Sequence, residues 1–283
     1  MSFFGNISDN KYLTMKDRIN WDIIKNFSGK EALCFSFEDI IKVYPSKDKN
    51  YLAKILSKMA ANGLIIRLSK GLYHIVPLNQ DANSFIPDWH LVARYLMRDR
   101  KYYIGYYSAM HIHGLITQPS LKEIIVTNIQ IKPSHVKVKN IDFQFVYHLD
   151  KRFFGFTDTW IDDYNKVTCS DLEKTLVDSL DKPHYSGDIV EIGKAIYETR
   201  DRISKDRLFS YLIQFESRVA IKRYLFLCDL LGIWSAFHEG LLVKIGNSIS
   251  PLDTSAPDKG KANHRFGLRI NIDIDSIKNS IFT

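Results

Sequence analysis

The chain lacks the run of about 18 consecutive apolar residues that a membrane-spanning helix needs, so no membrane partner is expected. It is poor in cysteine. Cys34, Cys169 and Cys228 are far apart and odd in number, which suits neither a disulfide framework nor a metal-ligand spacing, and they read as small buried residues. No GxSxG, HExxH, P-loop or GxGxxG signature is present, and neither an internal repeat nor a low-complexity tract is visible. The opening residues, MSFFGNISDNKY, have no positive start followed by an apolar run, so no signal peptide and a cytoplasmic location are expected. These absences argue against a metal, a cofactor and an enzyme of a familiar type.

What is present is a folded chain of 283 residues, 45% hydrophobic and 13% aromatic, long enough for one large domain or two. Its net charge of +7 is unevenly spread: residues 1–80 hold 12 Lys and Arg against 7 Asp and Glu, leaving only +2 for the rest. A basic first quarter raises nucleic acid as a partner.

Three helical patterns occupy that quarter. The first runs from about Thr14 to Phe27, with Met15, Ile19, Ile23 and Phe27 on one face. The second opens at Ser36-Phe37-Glu38-Asp39, a Ser followed three residues later by an acid in the manner of a capping box. It turns Phe37, Ile40 and Ile41 inward and stops before Pro45, which disfavours helix in the residue ahead of it. The third spans about Lys47 to Asn62, with Ser46 as its N-cap and Asp48 in its first turn. Leu52, Ile55, Leu56, Met59 and Ala60 recur on it at helical spacing, and Gly63 ends it. GLIIRLSKGLYHIVP, residues 63–77, then reads as a hairpin. Leu64, Ile66, Leu68, Leu72 and Ile75 face the helices, Gly71 permits the turn, and Arg67 and Lys70 point away.

Helix, helix, helix, hairpin is the layout of a winged helix-turn-helix, in which the third helix enters the major groove and the hairpin flanks it. Opposite its apolar stripe, the third helix presents Lys47, Asn50, Lys54, Ser57, Lys58 and Ala61, with no acid after Asp48. The candidate DNA-binding residues are therefore Lys47, Asn50, Tyr51, Lys54, Ser57, Lys58, Arg67 and Lys70. Lysines suit phosphates, and Asn50 and Ser57 suit base edges, Asn being matched to adenine.

A polar stretch closed by proline, 78–87, marks the boundary, which gives a domain of 1–80 and a larger one of 81–283. The second begins with a helix at about Asp88 to Arg98 and continues with strand-like runs at 123–127, 136–138, 141–148 and 165–169. In IDFQFVYH, Ile141, Phe143, Phe145 and Tyr147 alternate onto one side. Helical patterns follow at 171–181, 188–200, 204–214 and 217–231, and the tail returns to extended character around a Pro/Gly loop. The fold class is α+β, strands first and helices after.

Several stretches of this second region together resemble one family. GYYSAMHIHGL at 105–115, CSDLEKTLVDSLDKPHYSG at 169–187 and SPLDTSAPDKGKANHRFGLRIN at 250–271 are similar, in this order, to motifs of the AbiEi family of antitoxins. The hairpin is similar to that family's wing. Asp188 stands where a second Gly is common, and Phe266 where Trp is frequent. The resemblance implies a bacterial type IV toxin–antitoxin system tied to abortive phage infection. It implies a winged helix that binds inverted repeats of double-stranded DNA in its own promoter and represses it. It further implies an antitoxin domain that counters a nucleotidyltransferase-like toxin without a stable complex.

Other readings stay open. Asp171, Glu173 and Asp178 are acidic enough for a nuclease or transferase targeted by the winged helix, but they fall in a helical pattern where the first two suit the helix N-terminus. A winged helix that binds a protein partner rather than DNA is the third reading. His111 and His113, two apart on a helix, point in different directions and suit packing or a backbone hydrogen bond better than a metal. Lys259, Lys261, His264, Arg265 and Arg269 form a possible secondary basic surface, with Arg265 and Arg269 on one strand face if that segment is extended.

Overall fold

The computed structural model describes residues 15–28, 33–116, 118, 120 and 122–281. The chain divides into two compact units, Met1–Arg98 and Asp99–Thr283, and the whole is mixed α+β with several sheets.

In the first unit the order is α1 (Met15–Ser28), β1 (Cys34–Ser36), α2 (Phe37–Val43), α3 (Lys49–Ala61), β2 (Ile65–Ser69), β3 (Leu72–Ile75) and α4 (Trp89–Leu96). Ile19, Ile23 and Phe27 of α1 are buried with Ile40, Leu52, Ile55, Leu56 and Met59 in one core. Thr14 and the side chain of Met15 lie outside the described residues. Each of these apolar side chains contributes about 1.5–3 kcal/mol when fully buried, which explains why the helical stripes dominate the local choice. The capping box at Ser36 is present: Asp39 N–H donates to Ser36 Oγ at 3.1 Å and Ser36 N–H to Asp39 Oδ2 at 2.8 Å.

The hairpin is one side of a three-stranded sheet ordered β1-β3-β2, in which β1 pairs antiparallel with β3, Phe35 opposite Tyr73. A bulge between Arg67 and Ser69 breaks the simple alternation, so that Ile65, Ile66 and Leu68 are all buried while Arg67 is exposed. Gly63 and Gly71 have φ of +72° and +75°, which end α3 and turn the hairpin as only glycine does without strain.

Helix α4 belongs to this first unit, not to the second as an 80/81 boundary has it. Asp39 accepts hydrogen bonds from the Tyr95 hydroxyl and, at 2.8 Å, from Arg98 Nη1. Burial pushes the Asp39 carboxyl up, but the bonds from Arg98, Tyr95 and Ser36 outweigh it and hold the group well below the usual carboxylate range.

The second unit begins with β4 (Tyr102–Ile104), α5 (Tyr106–Ile112), β5 (Lys122–Thr127), β6 (His135–Val138), β7 (Ile141–Tyr147), β8 (Phe156–Trp160) and β9 (Lys166–Ser170). These strands form a mixed six-stranded sheet ordered β6-β7-β5-β4-β9-β8, with β5–β7 and β4–β9 parallel. Helices α6 (Leu172–Asp181), α7 (Ile189–Thr199), α8 (Lys205–Phe215), α9 (Arg218–Leu230) and α10 (Ala236–Leu242) follow. Three short strands, β10 (Ser250–Pro251), β11 (Lys261–Asn263) and β12 (Leu268–Ile270), and α11 (Ile274–Ser280) complete it. In β7 the expected alternation holds only through Phe143: Val146 is buried with Ile124 and Val126, whereas Tyr147 is exposed. The cause is apolar cover on the other face of the sheet, which rewards burial there as well.

Candidate nucleic-acid interface

Helix α3 takes its N-cap from Asp48 rather than Ser46, because the Asp48 carboxylate accepts the Tyr51 N–H at 2.9 Å. Lys47 therefore lies in the turn before the helix, exposed, and Lys49 is the first helical residue. Leu52, Ile55, Leu56 and Met59 are buried, and at 100° per residue their stripe leaves Asn50, Lys54, Ser57 and Lys58 exposed on the far side. Tyr51 is 37% exposed beside them. The helix itself contains no acid, and among the described residues Lys47, Lys49, Lys54 and Lys58 have no ion-pair partner. Lys49 is the residue that sequence reasoning passed over; placing the cap at Asp48 brings it onto the helix.

At the hairpin, Arg67 lies on the edge strand β2 and its Nε donates to the Ser69 carbonyl at 3.3 Å, which fixes the root of the guanidinium while the group stays exposed. Lys70 is exposed in the turn and, among the described residues, has no ion-pair partner. Of the eight candidates, then, all are exposed side chains of the first unit. Six stand on or directly before α3, and two on the hairpin.

The basic tail is arranged differently. Arg265 sits in the turn between β11 and β12, not on a strand face shared with Arg269. Its Nη1 pairs with Asp229 at 2.9 Å, and its guanidinium lies 5.0 Å from the Trp234 ring centre and 4.9 Å from that of Phe266. Arg269 pairs with Asp258. Lys259 and Lys261 remain exposed without an ion pair among the described residues.

The three stretches of the second unit that carry the family resemblance meet in its interior. His113 Nε2 is 2.7 Å from the Ser170 carbonyl, the backbone contact expected of it. The Arg223 guanidinium donates to the carbonyls of Leu180 and Asp181 and to those of Pro251 and Leu252, at 2.7 to 3.1 Å, and so ties α6 to the tail loop. Asp253 accepts the Ile189 N–H at 3.0 Å, and Asn271 donates back to Asp253 O at 2.7 Å. The acids considered for catalysis are engaged likewise. Asp171 caps α6 through the Lys174 N–H, Glu173 accepts from the Ser204 N–H at 2.7 Å, and Asp178, fully buried, pairs with the fully buried Lys174. Tyr103 donates to Asp178 at 2.8 Å, and Lys174 also faces the rings of Tyr103, Phe154 and Phe215. Burial pushes the thiols of all three free, buried cysteines up, to about 12 for Cys34 and Cys228, which suits packing groups rather than nucleophiles.

No family model and no curated protein matches this chain. Among solved structures it is similar to the RV2827C protein from Mycobacterium tuberculosis. The TM-score is 0.66 at 14% identity, over 92% of this chain and 94% of that one. At that identity the likeness concerns the fold alone. No helix among the described residues is long and apolar enough to cross a membrane.

An acid-free face of lysines around Asn50 and Ser57, beside a basic hairpin, can neutralise several phosphates along a backbone and place two short polar side chains between them. Such a face has the charge to meet a polyanion.

Proposed function

We propose that the first unit is a winged helix-turn-helix that binds double-stranded DNA. We further propose that the chain is an antitoxin of the AbiEi kind, repressing its own promoter at inverted repeats and countering a nucleotidyltransferase-like toxin through its second unit. The observation that carries the DNA reading is the exposed far face of α3, where Lys54 and Lys58 have no ion pair among the described residues and no acid shares the helix. In this reading Lys47, Lys49, Lys54 and Lys58 hold phosphates, Asn50 and Ser57 read base edges, and Tyr51 packs at the groove wall. Arg67 and Lys70 set the hairpin against the neighbouring backbone or minor groove. The antitoxin role rests on the resemblance of the three second-unit stretches. The burial of Asp178 with Lys174 supports a structural use of those residues over a nuclease, since neither reaches solvent.

Electrophoretic shifts on a duplex carrying the upstream repeats, and on a scrambled duplex, at two salt concentrations test this. Lys54→Ala weakens both duplexes alike and lowers the salt slope by about 0.9 for the lost phosphate contact. Asn50→Ala narrows the gap between the two duplexes. If both variants bind as the unaltered protein does, α3 is not the reading helix.

A further inference from the structure

The two outer strands of the second unit's six-stranded sheet carry opposite charge. β6 and β8 end the strand order, and among the described residues each has a strand neighbour on one side only. Around β6, residues 129–141 hold Lys132, Lys137 and Lys139 and no acid. Around β8, residues 153–165 hold Asp158, Asp162 and Asp163 and neither Lys nor Arg. His135, Lys137, Asp158 and Trp160 are exposed, Trp160 at 59%. Lys137 and Asp158 have no ion pair among the described residues.

The hydrogen bonds of each ladder show which backbone groups face outward. In an antiparallel pair, residues that bond the neighbouring strand alternate with residues that point away from it. Phe145 N–H donates to the Ser134 carbonyl at 2.7 Å, so Ser134, Val136 and Val138 face β7, and His135 and Lys137 face away. At the other edge, Asp171 N–H donates to the Gly155 carbonyl at 2.8 Å and Ile161 N–H to the Asn165 carbonyl at 3.0 Å. Thr157 and Thr159 therefore face β9, and Asp158 and Trp160 present their N–H and C=O groups outward. An antiparallel pairing of the two edges with Lys137 opposite Asp158 puts His135 opposite Trp160. It matches outward backbone to outward backbone at both positions. Residues opposite each other share a face, so a cation meets a carboxylate and an imidazole meets an indole. Contacts within the sheet already hold the two β8 side chains on that face. Thr168 Oγ1 donates to Asp158 Oδ1 at 3.0 Å, and Lys166 Nζ lies 4.3 Å from the Trp160 ring centre.

We infer that the second unit joins copies of this chain edge to edge, β6 of one copy pairing antiparallel with β8 of the next. Charges on an open edge ordinarily keep sheets apart, which needs the same sign on every edge that could meet. Opposite signs on the two edges of one sheet act differently. β6 repels β6, β8 repels β8, and only the unlike edges attract. A contact between two different patches leaves one edge free on each end copy, so the association is head-to-tail and continues until a ring closes. The inference stands on the second unit alone and is independent of the DNA reading.

Sedimentation velocity of the full chain over a concentration series, at low and at high salt, tests it. The weight-average sedimentation coefficient should rise with concentration past that of a dimer, and should rise less at high salt, which screens exposed charges. Asp158→Lys leaves two basic edges and Lys137→Asp two acidic ones, so each variant alone should associate at least about fivefold more weakly. An equimolar mixture of the two should recover the association, since each supplies the edge that the other lacks. That recovery also shows that both variants are folded. A chain that stays monomeric up to its solubility limit overturns the inference and leaves a basic strand of a different protein as the occupant of β8. An association that either single variant leaves unchanged overturns it equally, as does one that the mixture fails to restore.

Discussion

On α3 of the first unit, lysines stand exposed with no ion pair among the described residues, whereas the second unit sinks Lys174 and Arg223 into its core and gives Arg265 and Arg269 an acid each. Helix α3 and these four residues of the second unit thus use their cations in opposite ways. A buried or paired cation is already used by the fold. An exposed one that lacks a partner remains available to a polyanion, and it repels its neighbours until one arrives. Counting Lys and Arg along the chain does not separate these cases, since the tail has as dense a cluster of cations as the hairpin. Pairing and burial separate them.

The largest effect expected from this contrast is at Lys174. Lys174→Ala leaves Asp178 buried without its cation and should destabilise the protein by about 3–5 kcal/mol in urea denaturation. The double change Lys174→Met with Asp178→Leu removes both charges and should recover most of that loss. A single-variant loss under about 1 kcal/mol would mean that the pair is dispensable to the fold, and the acids of α6 would return as candidates for chemistry.

His148 offers the next largest effect, through pH. Burial, and then the charges of Lys174 and Lys182, push its imidazole down to about 3, and the Tyr106 hydroxyl lies 2.8 Å from its Nε2. The folded state therefore binds fewer protons than the unfolded chain, whose histidine titrates near 6.5. Stability is intact above pH 6.5 and is lost as pH falls from there toward 3, with a slope approaching about 1.4 kcal/mol per pH unit for one proton. Urea denaturation between pH 7 and pH 5, above the range of most carboxylates, should show this loss, and His148→Asn should lessen its slope by one proton's share, leaving that of His113, His184 and His238, which burial also pushes down. An unchanged slope in the variant would mean that His148 is charged in the folded protein.

Much of this architecture was legible because it is local. Ser36 and Asp39 announce the start of α2, the stripe from Leu52 to Met59 announces α3, and helices α6 to α9 fall within a residue or two of their periodic patterns. What was not legible depends on partners distant in sequence. β1 has three residues, too few to show alternation, and exists because Leu72, Tyr73 and His74 lie opposite. β4 and β8 are likewise short and defined by the sheet around them, and α10 is only seven residues long. Ser46 and Asp48 are both competent caps, and only the reach of a carboxylate to the Tyr51 N–H decides between them. The tail read as a second basic surface because no local pattern reveals Asp229 beneath Arg265 or Asp258 beside Arg269.

The same contrast orders the effects on binding. Lys54→Ala with Lys58→Ala removes two exposed cations and should lower the salt slope of DNA binding by about 1.8. Its stability should stay within about 0.5 kcal/mol of the unaltered protein, since neither side chain supports a contact in the fold. Arg265→Ala with Arg269→Ala removes the same formal charge and should do far less. Each arginine is released together with an acid, Asp229 or Asp258, that it had neutralised, and a partly exposed ion pair contributes about 0–1 kcal/mol. The salt slope should stay where it was, measured on the same duplex and at the same salt concentrations. If the tail variant instead lowers the slope as much as the α3 variant, those arginines exchange their acids for phosphates on binding. Pairing in the free protein would then no longer separate the cations that hold the fold from those that meet DNA.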